Sequence, residues 1–220
     1  MTEGSLLGLY DYHGQKTDDP PEPLPTELEL MVFDDKDRGM VEEGAATGCA
    51  IAAGVKLTRD LVNLPPNICT PIYLAETAQQ VAKETGLRIE VLEKRQMEAL
   101  KMGAMLAVAQ GSDAPPRFIV LEHNAKRAAE LDSVVLIGKG ITFDTGGYSL
   151  KSGEGMQKMK NDMAGAGAVI GAMRAIGELD IPLHVVGLAP ACDNMISGNA
   201  YRPQEVVVAS NGVTIEVIST

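Results

Sequence analysis

Short apolar runs alternate with longer helical segments along most of this chain. Three runs are apolar almost throughout, namely RFIVLEH (117–123), SVVLIG (133–138) and PLHVVGLA (182–189). Continuous apolar character is typical of strands that are covered on both faces. Strands that alternate with helices are typical of α/β proteins. The sequence therefore predicts an α/β fold with a mixed, mostly parallel sheet sandwiched by helices.

Three helices are predicted from apolar spacing and from their end signals. Small apolar residues predict a helix from Asp37 to about Asn63, ended by the prolines at 65–66. Thr70-Pro71 suits the start of a second helix, which should stop at Gly86. A third helix is predicted over 161–179. The core positions expected are Met40, Ala45, Cys49, Ala53, Leu57 and Leu61 in the first helix, and Met163, Ala166, Ile170, Met173 and Ile176 in the third.

Shorter elements fill the remaining parts of the pattern. LRIEVL (87–92) predicts a strand, and RQMEALKM (95–102) predicts a short helix that ends at Gly103. The runs EVVVAS and VTIEVIS flank Asn211-Gly212, which predicts a hairpin with a two-residue turn. These elements extend the alternation of strands and helices toward the C-terminus.

The N-terminal part of the chain has a different character. LLGLYDY (6–12) and ELELMVF (27–33) are candidates for short strands, and QKTDDPPEPLPTE (15–27) between them predicts a proline-rich acidic linker. Two short strands cannot bury a core by themselves, so this segment is expected either to pack on another body or to be the end of a missing domain.

Charge and the N-terminus restrict the classes of partner. The chain has 19 Lys and Arg against 30 Asp and Glu, a formal net charge of −11, which disfavours binding to nucleic acid or to anionic membranes. It shows no signal peptide and no apolar run near the ~20 residues that cross a bilayer. A cytoplasmic location is therefore expected.

The cysteines and histidines indicate neither a disulfide scaffold nor a histidine-based zinc site. Cys49, Cys69 and Cys192 are too few and too scattered for a disulfide scaffold, so free reduced thiols are expected. The three histidines lie far apart without partners at ligand spacing, which excludes a histidine-based zinc site. Of these, His184 falls inside an apolar run and is predicted to be a strand residue.

The stretch 134–167 is the one that indicates chemistry, since it leads from a strand through a glycine-rich loop into a helix, where α/β proteins place ligands. It is not a Walker A loop, because Lys139 is followed by Gly140, and the dinucleotide fingerprint fails at Phe143. Lys139, Asp144 and Asp162 could hold a divalent cation, with the lysine deprotonated. Taken alone, however, such residues are more often solvated side chains.

The full motif favours the metal site over solvated side chains, because it resembles that of a known family. GKGITFDTGGYSLK (138–151), followed by Asp162, resembles the leucyl aminopeptidase (cytosol aminopeptidase) family of dinuclear metallopeptidases. The stretches 59–71, 107–123 and 185–217 are similar to the same family, so the resemblance covers at least 55–220.

The resemblance implies a role for each residue of the motif. Lys139, Asp144 and Asp162 would be ligands of the tighter of two divalent metal ions, Zn²⁺ and/or Mn²⁺, with Asp144 bridging both. Lys151 would be the catalytic lysine that polarises the scissile carbonyl. Met159 would line the pocket for the substrate's first side chain, although helix packing explains it equally well. Lys158 and Lys160 have no implied role and are expected to be solvated.

The resemblance also implies an organisation and an activity. Residues 1–37 would be a remnant of an N-terminal domain with its linker, 38–63 a connecting helix, and 64–220 the N-terminal part of the metallopeptidase catalytic domain. The implied activity is release of N-terminal amino acids, leucine-type, from peptides with a free N-terminus, by a homo-hexamer in its full-length form.

Two further expectations concern the chain as it stands. The family's Asp-Ala-Glu-Gly-Arg signature, which brings further metal ligands and an arginine that anchors a bicarbonate, would follow Thr220. The 220 residues alone are therefore expected to be inactive or nearly so. The alternative is a non-catalytic assembly or binding subunit of the same family, against which the intact Lys-Asp-Lys-Asp set argues. A nucleotide-binding domain ranks last.

Overall fold

A computed structural model describes residues 1–18 and 24–220 of the chain. The helices are α1 (Thr2–Gly8), α2 (Arg38–Asn63), α3 (Pro71–Thr85), α4 (Lys94–Ala99), α5 (Gly103–Ala109), α6 (Gly153–Met156) and α7 (Ala164–Leu179). The strands are β1 (Arg88–Leu92), β2 (Arg117–His123), β3 (Ser133–Ile137), β4 (Gly140–Asp144), β5 (His184–Asn194), β6 (Val206–Val208) and β7 (Thr214–Glu216). Single 3-10 turns occur at Asp35–Asp37, Ala125–Arg127 and Met159–Asn161.

The main sheet is built around β5, its longest strand. Its order is β1-β2-β5-β3, and β4 also pairs with β5. The β1–β2 and β2–β5 pairings are antiparallel, whereas β3 and β4 both run parallel to β5. Strand β3 pairs with 184–188 and β4 pairs with 191–194, so the two follow one another along the same edge of β5. The predicted α/β class with a mixed sheet is confirmed, with parallel and antiparallel pairings in equal number.

The core lies between this sheet and the helices α3 and α7. Leu74 of α3, Leu121 of β2 and Ile170 of α7 are all buried in one apolar cluster. The predicted core positions Met163, Ala166, Ile170 and Met173 are likewise buried, and Ile176 packs against them. Burying a large aliphatic side chain stabilises a fold by about 1.5–3 kcal/mol, so this layer holds α7 firmly on the sheet.

Helix α2 is confirmed as a long helix, with Leu61 buried and Leu57 packed on the core as predicted, but the predicted positions Met40 and Cys49 nearer its start do not face the core. It packs on α7 through a close crossing at Gly54 and Gly171, where Thr58 Oγ1 donates to Gly167 O at 3.1 Å. Met40 and Cys49, predicted to be core positions, are exposed. At this crossing the backbones approach so closely that only glycine fits at positions 54 and 171, whereas Leu61 contacts α7 one turn or more further along.

Helix α3 has the ends that the sequence indicates. Thr70 Oγ1 accepts a hydrogen bond from Tyr73 N at 3.3 Å, Pro71 is the first helical residue, and Gly86 ends the helix in a left-handed conformation. The prediction at Gly103 is wrong, because α4 has already ended at Ala99 and Gly103 begins α5. A side chain at Gly103 would collide with the Val208 carbonyl, which explains glycine there without a helix end.

The N-terminal strand predictions are wrong. Residues 2–8 form α1, which packs on α2 with Thr2 against Gly48, and 27–33 contain no strand. An isolated strand would leave its backbone groups unpaired, whereas a helix satisfies them internally and buries one face on α2. The expected packing on another body is thus met by α2. Part of the predicted proline-rich linker, 19–23, lies outside the described residues.

Strand β3 and the hairpin also differ in detail from expectation. Ile137 of β3 is 72% exposed, so the expectation that both faces are covered is wrong for this edge strand. The hairpin of β6 and β7 is confirmed, but its turn centres on 210–211, with Gly212 at φ +84° next in the loop. Because Asn211 has a negative φ, the loop is a three-residue one rather than the predicted two-residue turn.

The cysteines are free, as predicted. Cys49 is exposed, whereas Cys69 and Cys192 are buried. Burial raises the pKa of the Cys69 thiol to about 11, and burial with the nearby Asp193 carboxylate raises that of Cys192 to about 12. His184 is the first residue of β5, as expected of a strand residue. Within the described part of the chain, no helix has the length and apolar character to span a bilayer.

Candidate functional site

The predicted site residues meet at the carboxyl ends of the parallel strands β4 and β5. Asp144 ends β4 and Asn194 ends β5, and the two residues are register partners. The 3-10 turn at 159–161 packs against β4 and brings Asp162, the next residue, to the same edge. The carboxyl ends of strands in α/β sheets are the usual place for ligands, so the location fits the sequence prediction.

Lys139 is held in the break between β3 and β4. Its carbonyl accepts a hydrogen bond from Ala166 N at 2.8 Å, in the first turn of α7. A Cβ on Gly165 would lie 2.8 Å from Lys139 N, and one on Gly138 would collide with the Gly165 carbonyl. The glycines therefore allow α7 to begin directly against the lysine backbone, which leaves the Lys139 side chain free to point outward, 60% exposed.

The loop after β4 folds back on itself and carries Lys151. Gly146 adopts φ +86°, and its N–H donates to Asp144 Oδ1 at 2.8 Å. Lys151 N donates to Thr145 O at 3.0 Å, which closes the loop. Thr220 Oγ1 donates to Gly146 O at 2.7 Å, so the last residue of the chain rests on this loop.

Two ion pairs join the four charged residues. Lys151 Nζ lies 2.9 Å from Asp144 Oδ2, and Lys139 Nζ lies 2.8 Å from Asp162 Oδ2. The structure thus brings the four residues together as two lysine–aspartate pairs. Each carboxylate oxygen that could bind a cation thus lies within 3 Å of an ammonium group of the chain itself.

Asp144 is the most enclosed of the four side chains. Burial alone would raise its pKa, but hydrogen bonds from Lys151, Gly146 N and the Asn194 amide outweigh burial and lower the pKa of Asp144 below its ordinary value. The carboxylate is therefore ionised at neutral pH, which is the state that a metal ligand requires.

Asp162 provides an independent test of whether a cation fits here. Within residues 1–18 and 24–220, its buried Oδ2 has no partner with hydrogen-bond geometry, although Lys139 Nζ lies 2.8 Å away. The ammonium offsets the charge of this oxygen, and a divalent cation would bind it as an oxygen ligand. Those same residues contain no group of three His, Cys, Asp or Glu side chains placed to bind a metal ion.

The turn at 159–161 carries the remaining predicted residue and one correction. Met159 begins the turn and is half-buried. Lys158 is exposed, as expected, but Lys160 is not free in solvent, because its Nζ donates to Asn63 O at 2.8 Å. Asn63 is the last residue of α2, whose carboxyl end carries partial negative charge and attracts an ammonium group.

Replacing Lys160 by methionine is expected to lower the free energy of unfolding by about 1 kcal/mol, because it removes a hydrogen bond from a charged donor to the end of a helix. Urea unfolding followed by circular dichroism measures the change. Lys158→Met removes the same charge two positions away and should leave stability within ~0.5 kcal/mol. Equal stability of the two variants would contradict the helix-end role.

Two residues of this site were not predicted from the sequence. Asn194 donates through Nδ2 to Asp144 Oδ1 at 2.8 Å, and Thr220 docks on the loop. A polar residue directly after a buried strand was the available signal for Asn194. Thr220 offered no signal, because its contacts join positions more than seventy residues apart.

The chain is similar to aminopeptidases in sequence. Residues 56–220 match the catalytic domain of the cytosol aminopeptidase family. A "Probable cytosol aminopeptidase" of Ralstonia nicotianae is 53% identical over 191 residues, which are 87% of this chain and 38% of that protein. Another so named, from Burkholderia multivorans, is 52% identical over 202 residues, covering 91% of this chain and 40% of the relative.

Solved structures show the same likeness. The bottromycin maturation enzyme BotP in complex with Mn has a TM-score of 0.84 and 36% identity, covering 99% of this chain and 44% of that one. A second structure of BotP has a TM-score of 0.82 at the same identity. The chain thus spans about two fifths of the length of the proteins that it matches.

Proposed function

Because this chain belongs to the cytosol aminopeptidase family, we propose that it forms part of a metal-dependent aminopeptidase that releases N-terminal amino acids, leucine-type, from peptides. The family's enzymes are hydrolases. The chain spans only part of its relatives' length, so the activity proposed is that of the whole enzyme. Residues 64–220 would be the N-terminal part of its catalytic domain, 38–63 a connecting helix, and 1–37 a remnant of a preceding domain.

The metal ligands proposed are Lys139, Asp144 and Asp162. Two carboxylates and one amine suit hard or borderline divalent cations, and BotP has been solved with Mn. Bound as a pair, Zn²⁺ and/or Mn²⁺ would supply Lewis-acid charge at the scissile carbonyl. Lys139 can join the ligand set only as a neutral amine, so it would give up a proton and its ion pair with Asp162. A bicarbonate is part of the proposal for the full-length enzyme alone.

Lys151 is proposed as the catalytic lysine. Its ammonium is about one-third exposed and lies at the open end of the sheet, so it can reach a bound substrate. A fixed positive charge aimed at the carbonyl oxygen stabilises the negative charge that develops there during hydrolysis. In this structure the ammonium lies 2.9 Å from Asp144 Oδ2, and it would turn toward the substrate once a cation takes that oxygen. Met159, half-buried beside Asp162, would line the pocket for the first side chain of the substrate.

The observation that carries this proposal is the pairing of two lysines with two aspartates at one sheet edge, where the Oδ2 atom of Asp162 is buried and has no partner with hydrogen-bond geometry among the described residues. Peptides with a free N-terminus are the proposed substrates, and a hexamer in the cytoplasm is the proposed state of the full-length enzyme.

The test measures hydrolysis of leucine p-nitroanilide with added Mn²⁺ or Zn²⁺. It compares this chain with an extended enzyme. In the extended enzyme, the part of the Ralstonia nicotianae relative that follows the matched region is joined after Thr220. We expect activity in the extended enzyme, abolished by chelation, and little or none in the 220-residue chain. An extended enzyme that binds metal normally and shows no turnover would favour a non-catalytic assembly subunit instead.

A further inference from the structure

We propose that Asn194 is a positioning residue that fixes which oxygen of Asp144 is offered to a cation, an inference that rests on the proposed function. Asp144 Oδ1 already accepts two hydrogen bonds at 2.8 Å, one from the Asn194 amide and one from Gly146 N. An oxygen with two donors has both lone pairs engaged. Oδ2 is therefore the oxygen that faces Lys151 and the open site.

The orientation of the Asn194 amide follows from chemistry. Turning the amide by half a turn would place its oxygen against the carboxylate oxygen of Asp144, where two acceptors repel. Nδ2 must therefore face Asp144. This arrangement leaves Asn194 Oδ1 buried without a hydrogen-bond partner among the described residues. A residue that only filled space would not keep an unsatisfied polar atom, since such an atom destabilises the fold.

The backbone holds Asn194 rigidly in this position. Its carbonyl accepts hydrogen bonds from Thr145 N at 3.0 Å and from Thr145 Oγ1 at 2.9 Å. Asn194 and Asp144 are partners at a shift in the β4–β5 register, so the two side chains emerge side by side. Asn194 is also only 6% exposed, which keeps water from competing for the Asp144 carboxylate.

Two neighbours contact different oxygens of the Asp144 carboxylate. Lys151 contacts Oδ2 and can move away when a cation arrives, whereas Asn194 contacts Oδ1 and stays. Partners that orient a metal ligand in this way change metal affinity by about 10–100-fold when they are removed. Asn194 would therefore affect metal affinity without touching the metal or the substrate.

The first experiment needs no metal. In the ¹⁵N-labelled chain, one side-chain amide proton of Asn194 should exchange slowly with solvent and shift downfield, because it is bonded to a carboxylate. The half-buried amide of Asn124, which donates to Ile181 O and Leu183 O, serves as the hydrogen-bonded reference, and the exposed Asn199 as the unprotected one. Rapid exchange of both Asn194 protons, as at Asn199, would overturn the proposal.

The second experiment measures Mn²⁺ affinity of the full chain by titration calorimetry. Asn194→Ala should weaken binding at least ~10-fold. Asn124→Ala removes a half-buried, hydrogen-bonded amide near the opposite end of β5 and should lower the melting temperature while leaving Mn²⁺ affinity unchanged.

The two experiments separate this inference from the proposed function. Unchanged Mn²⁺ affinity in Asn194→Ala would overturn the positioning role. A wild-type chain that binds no Mn²⁺ would instead count against the proposed metal site, and the exchange of the Asn194 amide would then decide the positioning role alone. The same amide measurement decides it if Asn194→Ala does not fold.

Discussion

Replacing Lys151 by alanine in the extended enzyme is expected to lower kcat for leucine p-nitroanilide by about 10²–10³-fold, the usual effect of losing one donor to a developing oxyanion. KM should change little, because the lysine acts on charge that appears only in the transition state. Steady-state kinetics at saturating Mn²⁺ measures both constants. Metal content, measured on the same samples, shows whether the loss of the partner of Asp144 has also affected binding.

Lys158→Ala is the matched control for this experiment. Lys158 lies on the same segment and is exposed, so its removal should leave kcat within about twofold of the unmodified enzyme. Lys151→Arg tests whether charge alone is sufficient, since guanidinium keeps the charge with a different shape. A Lys151→Ala enzyme with full metal content and unchanged kcat would remove Lys151 from the mechanism.

Gly171→Val is expected to lower the free energy of unfolding by about 3 kcal/mol, at the upper end of overpacking effects. A Cβ on Gly171 would collide with the carbonyl of Gly54 and with Thr58 Oγ1, so α2 and α7 could not keep their spacing. The first turn of α7 packs against the backbone of Lys139, so a displaced helix should also disturb the candidate metal site. Urea unfolding followed by circular dichroism measures the change.

Gly44→Ala is the matched control, because a Cβ there meets nothing within 4 Å and Gly44 is an exposed position inside α2. Alanine suits an open helix position better than glycine, so this variant should be as stable as the parent or more stable by up to ~1 kcal/mol. A destabilisation by Gly44→Ala equal to that of Gly171→Val would show that glycine content, rather than the crossing, matters.

The elements that were predicted well have strong local signals. Helix α3 carries Thr70 and Pro71 at its start and Gly86 at its end, and all three residues act as their types indicate. Its ends depend on backbone chemistry within a few residues, so the local sequence is sufficient to place them.

The elements that were predicted poorly depend on distant partners. Residues 2–8 were expected to begin a strand region, yet they form α1 because α2 offers a surface on which one helix face can pack. The buried face of α2 was predicted correctly at Leu57 and Leu61, but the prediction missed Gly54, because the close crossing with α7 leaves no room for a larger residue there. Apolar spacing indicates that a helix has a buried face, but the neighbouring helix decides how closely that face is approached.

The α/β class and the principal helices follow from side-chain type and spacing along the chain, whereas the family and the four charged residues of the candidate site were indicated by the resemblance of the motif at 138–162. The folded chain was needed to show that Lys139 pairs with Asp162 and Lys151 with Asp144, and that Asn194 contacts the other oxygen of Asp144. These contacts join separate strands and turns, and hydrogen bonds depend on distances and angles that spacing along a chain does not contain.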